Sequence, residues 1–574
     1  MTTAISILTF KDEDAVGVVE GVDTGTVIVG IASDEKLRLI QVNQLVVVQS
    51  PLTQHHIIGL VSRISRNVIE EKQDDGERLP IIRDSVKITL IGTLIDKVGE
   101  KKNIFRRSIS SVPQIGAKAY PLEGEHLSLF MGSISAAAQA TSKVLELGTY
   151  ALDERATAYI DGNALFARHV AVVGSTGSGK SWTVARLLEQ VAELPMANAI
   201  LFDLHGEYST LTGAGITHLR VAAPNDDKIS DGIVFLPYWL LTYEEMTALL
   251  LDRSDDNAPN QAMLLSRTVA ESRRASANAE GDPKTASLLT VDSPVPYKIV
   301  SVLEELKRLD LEMVAGARTD KQGPFFGKLT RFIQRLEAKL NDRRLNFIFG
   351  SPCSDANSKL LTDLIATLMS ATGHGKPGVK IINFMEVPSD VLPLMIGLVA
   401  RLIFTVQMWM EDAKRVPIAL FCDEAHLYLP NTVNADSAEK RSVYNFERIA
   451  KEGRKYGVSL VVISQRPSEI NHTILSQCGN FVAMRLSNSD DQAVVKKLLP
   501  DSLAGLTDLL PVLDVGEALA VGDACLLPSR IRIHPPSQKP ISSTKRFWDL
   551  WSASAQDPGL ESAIVALRRQ SKER

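Results

Sequence analysis

His169-Val170-Ala171-Val172-Val173-Gly174-Ser175-Thr176-Gly177-Ser178-Gly179-Lys180-Ser181 is the stretch that decides the fold. Its first five residues form a short apolar run, which predicts a buried strand. The next eight satisfy G-x-x-x-x-G-K-[ST]. Beyond them Val184, Leu187, Leu188 and Val191 recur at i, i+3, i+4 and i+7, one face of a helix. Strand, glycine loop and helix in that order make a phosphate cradle. The glycines let successive backbone N–H groups curl around an anion, and the helix N-terminus adds partial positive charge. Gly174, Ser175, Thr176, Gly177, Ser178, Gly179, Lys180, Ser181 and the following Trp182 are therefore candidate nucleotide contacts. Lys180 reaches toward the β- and γ-phosphates of ATP, and the Ser181 hydroxyl is a ligand for Mg2+.

Further strands are expected on either side of this unit. An apolar run over 199–202 ends at Asp203-Leu204-His205-Gly206-Glu207-Tyr208, and another, Ile418–Cys422, ends at Asp423-Glu424. A carboxylate at the C-terminal edge of such a strand suits the metal and water of a phosphoryl-transfer site: Asp423 holds Mg2+ through its water shell and Glu424 polarises the attacking water. Asp203 and Glu207 are candidates to face the nucleotide, with a helix cap or turn as the alternative, which is preferred for His205. The run over 459–464 leads into Gln465-Arg466-Pro467, whose amide is placed to sense a γ-phosphate. Eleven residues before Gln465 stands Arg454, on a helix that also carries Arg448 and ends in Gly453-Arg454-Lys455. An arginine there is either a finger offered to a neighbour's γ-phosphate or a cation at a helix C-terminus.

The flanks read differently. Residues 1–135 hold short β-branched runs over 16–19, 26–31, 44–49, 56–64 and 86–91, with a sixth expected over 127–131, and predict a small barrel. A basic segment over 96–107, with Lys97, Lys101, Lys102, Arg106 and Arg107, is expected to be an exposed connection. From 150 the texture is α/β: core segments over 150–240 and 375–535, with strands over 379–384, 481–485, 518–521 and 530–533, and a helical insertion over 241–374. Within the insertion, 272–296 is rich in Ala, Ser, Asp and Pro and is expected to be a surface loop. A Pro/Ser/Lys-rich tail with Phe547, Trp548 and Trp551 fills 536–574.

Bulk composition excludes more than it selects. The 574 residues are 45% hydrophobic and 23% charged, with a net charge of −5 and mean hydropathy of +0.02. That balance neither supports a basic DNA-coating protein nor forbids a local basic stripe. Four scattered cysteines, Cys353, Cys422, Cys478 and Cys525, form no C-x-x-C pair, which argues against a zinc or disulfide framework. The N-terminus lacks a signal-peptide pattern. The most apolar long run, 391–410, is interrupted by Pro393, Arg401 and Gln407, so a buried helix, no membrane span and a cytoplasmic location are expected.

Taken together, several strings resemble the HerA/FtsK superfamily: Asn163-Ala164-Leu165-Phe166-Ala167-Arg168-His169, the glycine loop, Asp203-Leu204-His205-Gly206-Glu207-Tyr208, Asp423-Glu424-Ala425-His426, Glu452-Gly453-Arg454-Lys455-Tyr456-Gly457 and Ser464-Gln465-Arg466-Pro467. The Asp203–Tyr208 and Ser464–Pro467 strings point to the HerA branch rather than to FtsK itself, and members of that branch begin with a small barrel, the HAS-barrel. The resemblance implies a RecA-like P-loop ATPase core with a helical insertion behind a small N-terminal β-barrel. It further implies homo-hexameric rings that hydrolyse ATP with Mg2+ between protomers and move double-stranded DNA through the channel. Lys180, Ser181, Asp423, Glu424 and Gln465 then belong to the nucleotide site, Arg454 is the trans finger with Arg448 second, and Arg168 matches an arginine that approaches nucleotide. A nuclease or effector docked on the barrel face, NurA-like, Sir2-like or other, is the expected protein partner. A nucleotide-gated scaffold that regulates such an effector is the competing expectation. A conjugation-type motor fits less well, given the barrel and the lack of membrane helices, and no LSGGQ-like signature supports an ABC-type dimer.

Overall fold

The computed structural model describes residues 8–570 apart from 73–77, 97–103, 110, 140–143, 282, 316–318, 356, 370–376, 432–434, 500–503, 543–544 and 553–558. The chain divides into two compact units, residues 1–187, 465–468 and 478–537 in one, and 188–464, 469–477 and 538–574 in the other.

The first unit opens with strands β1 (Gly17–Val22), β2 (Thr26–Ile31), β3 (Leu45–Gln49), β4 (His55–Lys72), β5 (Arg78–Ile95), β6 (Ile104–Arg106) and β7 (Lys118–Pro121). They run in the order β2-β1-β7-β3-β4-β5-β6, and β2 pairs back on β5, so six strands close and β6 hangs on the outside of β5. Closure leaves no free edge among those six. Val19, Val27, Val29, Val46, Val48, Ile57, Val61, Val86 and Ile88 fill the interior. The sixth barrel strand is β7 and not 127–131, which lies in a helix, Gly124–Gln139. There Phe130, Met131 and Ile134 are buried at helical spacing, and three alanines over 136–138 favour the helix. Of the basic connection, Lys97, Lys101 and Lys102 lie outside the described residues. Arg106 ends β6, and Arg107 donates to the Gly522 carbonyl at 2.7 Å.

The remaining strands are β8 (Val144–Tyr150), β9 (Asp153–Asp161), β10 (Val170–Val173), β11 (Asn198–Asp203), β12 (Ile216–Val221), β13 (Ile233–Val234), β14 (Met313–Val314), β15 (Lys321–Gln322), β16 (Gly378–Asn383), β17 (Ile418–Cys422), β18 (Val458–Ser464), β19 (Asn480–Met484), β20 (Glu517–Gly522) and β21 (Ser529–Ile533). In the first unit the order is β10-β19-β20-β21-β8-β9. Only β10 and β19 run parallel; the other pairings are antiparallel. The hairpin β8–β9 starts this sheet before residue 150, where the sequence placed its beginning. Its alternating burial hides it from a search for continuous apolar runs.

In the second unit β13-β12-β16-β11-β17-β18 is a parallel sheet throughout. Every residue of β11, β17 and β18 is buried, as a sheet covered on both faces requires. Asp203, Asp423 and Ser464 therefore all emerge at C-terminal strand ends, where open α/β sheets place their ligands. The insertion is helical: Tyr243–Leu250, Ala258–Ala279, Ile299–Asp310, Thr330–Asn341 and Lys359–Met369. It is tied to the core through Glu245, fully buried, which accepts from Arg401 at 2.7 and 2.8 Å and from Asn445 at 3.2 Å. The expected surface loop over 272–296 is a correction. The helix continues to Ala279, and Arg273 is fully buried, donating to the carbonyls of Trp239 and Leu241 and lying over the Tyr297 ring. Alanine is the best helix former, so a loop-like mixture of Ala and Ser was compatible with helix. The apolar run forms the helix Leu392–Trp409; it is long and apolar enough to cross a membrane, yet two-thirds of it is buried inside the protein. Gly397 there brings its backbone against Ser442 of the helix Ser437–Glu452; an added Cβ would lie 3.0 Å from the Ser442 Cα.

Candidate nucleotide-binding and catalytic site

The first unit builds the phosphate loop. β10 delivers Gly174, and the helix Lys180–Ala192 begins at the lysine. Gly177 and Gly179 adopt φ of 74° and 111°, and a Cβ on Gly179 would meet the Met484 side chain at 2.9 Å, so glycine is required there twice over. The loop is pinned from outside: Ser175 N donates to Arg485 O at 2.8 Å, and Gly516 N donates to Ser178 O at 3.0 Å. The Lys180 ammonium is folded under the loop, donating to the carbonyls of Gly174 at 2.7 Å and Ser175 at 3.1 Å. Thr176, at the exposed tip, donates its hydroxyl to Gln465 Oε1. The unit thus brings Gln465 to the loop. Ser181 is half-buried and Trp182 is exposed on the first turn of the helix. Arg168 points to a different partner, Asp523, at 3.6 Å.

The second unit collects the acids. Asp423 and Glu424 follow β17 directly, and both are buried. Burial raises the Asp423 carboxyl well above its ordinary range, and the neighbouring charges of Glu424, Glu207 and Asp203 push it further. Asp203 is also raised, chiefly by burial. Its oxygens accept from the backbone N–H groups of Gly206 at 2.8 Å, Glu207 at 3.1 Å and Tyr208 at 3.2 Å, so it holds the turn that carries Glu207. Glu424 takes φ 44° and ψ 45°, a left-handed backbone that costs a non-glycine residue on the order of 1–3 kcal/mol and clusters at functional sites.

The two arginines differ. Arg448 lies over the Phe404 ring and 3.7 Å from Glu452, engaged within its own chain. Arg454 is exposed on the short turn Gly453–Tyr456, and among the described residues its side chain has no hydrogen-bond or ion-pair partner.

Two family models cover the chain from β8 to β21. Residues 145–403 match the central domain of the helicase HerA, and 320–534 match the helicase HerA-like C-terminal domain. The chain belongs to the HerA family. Among its relatives are the DNA double-strand break repair helicase HerA of Sulfolobus acidocaldarius, 26% identical over 69% of this chain and 71% of that one. The corresponding helicase of Pyrococcus furiosus is 25% identical over 68% and 69%. A probable helicase of Methanocaldococcus jannaschii is 24% identical over 83% of each chain. Among solved structures, VirB4 of Thermoanaerobacter pseudethanolicus superposes with a TM-score of 0.45 at 15% identity, covering 70% of this chain and 97% of that one. The bacterial conjugative coupling protein TrwBdeltaN70 gives 0.44 at 13% identity, covering 72% and 93%.

This HerA-family protein is a P-loop ATPase, an ATP hydrolase, and the family resemblance implies ATP and Mg2+ as its cofactors. Its residues fit those groups. The loop glycines leave open space where a Cβ on Gly177 would stand, and the lysine ammonium already lies within the loop. Asp423, whose carboxyl is raised chiefly by burial and further by three neighbouring carboxylates, is the group a divalent cation relieves. Among the described residues no three His, Cys, Asp or Glu side chains form a metal cage by themselves. Mg2+ keeps waters and takes one or two carboxylates together with substrate phosphates.

Two contributors were given no role in the sequence reading. Asn480, buried at the start of β19, donates to the carbonyls of Ala164, Leu165 and His169 and accepts from Ala524 N, fixing the turn that feeds β10. His426 contacts Glu424 and Ser464. An asparagine within an apolar strand and the histidine two places after Glu424 were the available signals.

Proposed function

We propose that the chain forms homo-hexameric rings in the cytoplasm that hydrolyse ATP between protomers and drive double-stranded DNA through the ring, in concert with a nuclease or effector on the barrel face. The observation that carries this reading is Arg454: exposed, carried on the short helical turn Gly453–Tyr456, and without a partner in its own chain among the described residues. A guanidinium so placed suits a neighbour's γ-phosphate, whereas Arg448 is already engaged. The names of the relatives, DNA double-strand break repair helicases, support the DNA substrate.

In this reading Lys180 leaves the Gly174 and Ser175 carbonyls for the β- and γ-phosphates, and the loop N–H groups bind the rest. Mg2+, when bound, supplies neutralisation of phosphate charge. Ser181 and Asp423 hold it, with Asp203 and Glu207 as the negative surround. Glu424 accepts a hydrogen bond from the attacking water and polarises it. Gln465 exchanges its Thr176 contact for the γ-phosphate or that water, and Arg168 gives up Asp523 to approach the nucleotide.

The test is ATP turnover with and without duplex DNA, together with displacement of a protein roadblock from the duplex. Stimulation and displacement are expected, and both are lost in Glu424→Gln while ATP binding and assembly survive. ATPase activity indifferent to duplex DNA, with no displacement, overturns the translocase reading in favour of a nucleotide-gated scaffold for the partner.

A further inference from the structure

The acidic pair is followed by a histidine that the ATPase reading above leaves without a task. His426 lies on the single turn Ala425–Leu427, for which Glu424 is the N-terminal cap. Its Nδ1 stands 3.3 Å from Glu424 Oε2 and 3.3 Å from Ser464 Oγ. The imidazole is largely buried, the Glu424 side chain more so, and Ser464 is completely buried. All three groups belong to the same unit.

Position explains why this contact matters. Glu424 occupies a left-handed backbone that directs its side chain off the end of β17. A glutamate side chain has three rotatable bonds, and fixing them costs on the order of 1–2 kcal/mol of conformational entropy. A polar contact from a neighbour two residues away, itself hydrogen-bonded to Ser464, meets part of that cost before substrate arrives. Ser464 is the last residue of β18 and stands directly before Gln465. The imidazole therefore joins the end of the strand carrying Glu424 to the end of the strand leading into Gln465.

We propose that His426 is a positioning residue for Glu424. The Nδ1 edge of the imidazole stands against Glu424 Oε2 at ion-pair distance, its hydrogen bond with the Ser464 hydroxyl braces the ring, and the carboxylate is held in the orientation that receives the attacking water. The inference rests on the assignment of Glu424 made above. It accounts for where the polar atom stands: Nδ1 lies close to the backbone, within reach of Glu424, and the planar ring is braced by a second strand.

Two isopolar substitutions separate positioning from packing. Asparagine places an amide nitrogen where Nδ1 stands, while glutamine places one nearer the position of Nε2. His426→Asn is expected to keep kcat within about threefold of wild type. His426→Gln is expected to lose roughly tenfold in kcat, a part of the 10²–10⁴ that a positioned base contributes. KM for ATP and assembly should be unchanged in both. Equal kcat in the two variants overturns the inference, as does a joint loss of ATP affinity, which indicates packing alone. Glu424→Gln is measured alongside. If that variant retains near-normal turnover, the assignment of Glu424 fails. If it is inactive while the two His426 variants are equally fast, the assignment stands and the positioning role falls.

Discussion

Lys380 lies in the middle of β16, paired with Ile200 of β11 on one side and Thr217 of β12 on the other, and is only 1% exposed. No carboxylate is among the causes acting on it. Burial alone lowers its ammonium from 10.5 to about 8. Its hydrogen bonds, to Asn198 Oδ1 at 3.3 Å and Gly378 O at 3.4 Å, are long. A fall of that size corresponds to about 3 kcal/mol of destabilisation while the lysine is charged. Loss of the two long bonds in Lys380→Met offsets part of it, leaving a net gain of about 1–3 kcal/mol at pH 7. The pH dependence has a definite sign. Between 8 and 10.5 the unfolded chain binds the proton that the folded chain has released, so wild-type stability rises with pH across that window relative to the methionine variant. The advantage of Lys380→Met should therefore be full at pH 7 and largely gone by about pH 10.5. Urea denaturation of both proteins at a series of pH values, followed by far-ultraviolet circular dichroism, measures the difference. A methionine variant less stable at pH 7, or an advantage that does not change with pH, would refute the argument that an uncompensated buried ammonium strains this strand.

Lys180→Ala removes the ammonium from the loop and should weaken ATP binding itself; unchanged affinity by calorimetry would mean the loop had been misread. Arg454→Ala should assemble and bind ATP yet hydrolyse it roughly 10³-fold or more slowly, and mixing it with Lys180→Ala should restore some turnover in rings shown by mass to be mixed. Near-normal turnover of Arg454→Ala alone would exclude it as the finger and make Arg448 the next residue to test. Duplex DNA binding should weaken steeply with salt and vary little with sequence, since a channel that follows phosphates releases counterions and reads no base edges; a binding constant indifferent to salt argues against such a channel.

What the chain determined alone was local. Gly174 to Ser181 must be a phosphate loop because the glycine positions, the lysine and the flanking strand and helix are all specified within a few consecutive residues. β11, β17, β18 and β19 were legible for the same reason, as continuous apolar runs of a sheet buried on both faces. The barrel was legible as a class but not in its membership. Register and closure depend on partners far apart in sequence, and β7, four residues long, carries its information in its pairing with β1 and β3. The hairpin β8–β9 was missed because its buried residues alternate mostly with half-buried ones. Tertiary structure alone decided the state of the candidate side chains. Asp203 holds a turn, Arg448 is engaged over Phe404 while Arg454 is left exposed, and His426 bridges Glu424 and Ser464. Each follows from distances between residues brought together by folding, and the pattern of residue types along the chain carries no record of those distances.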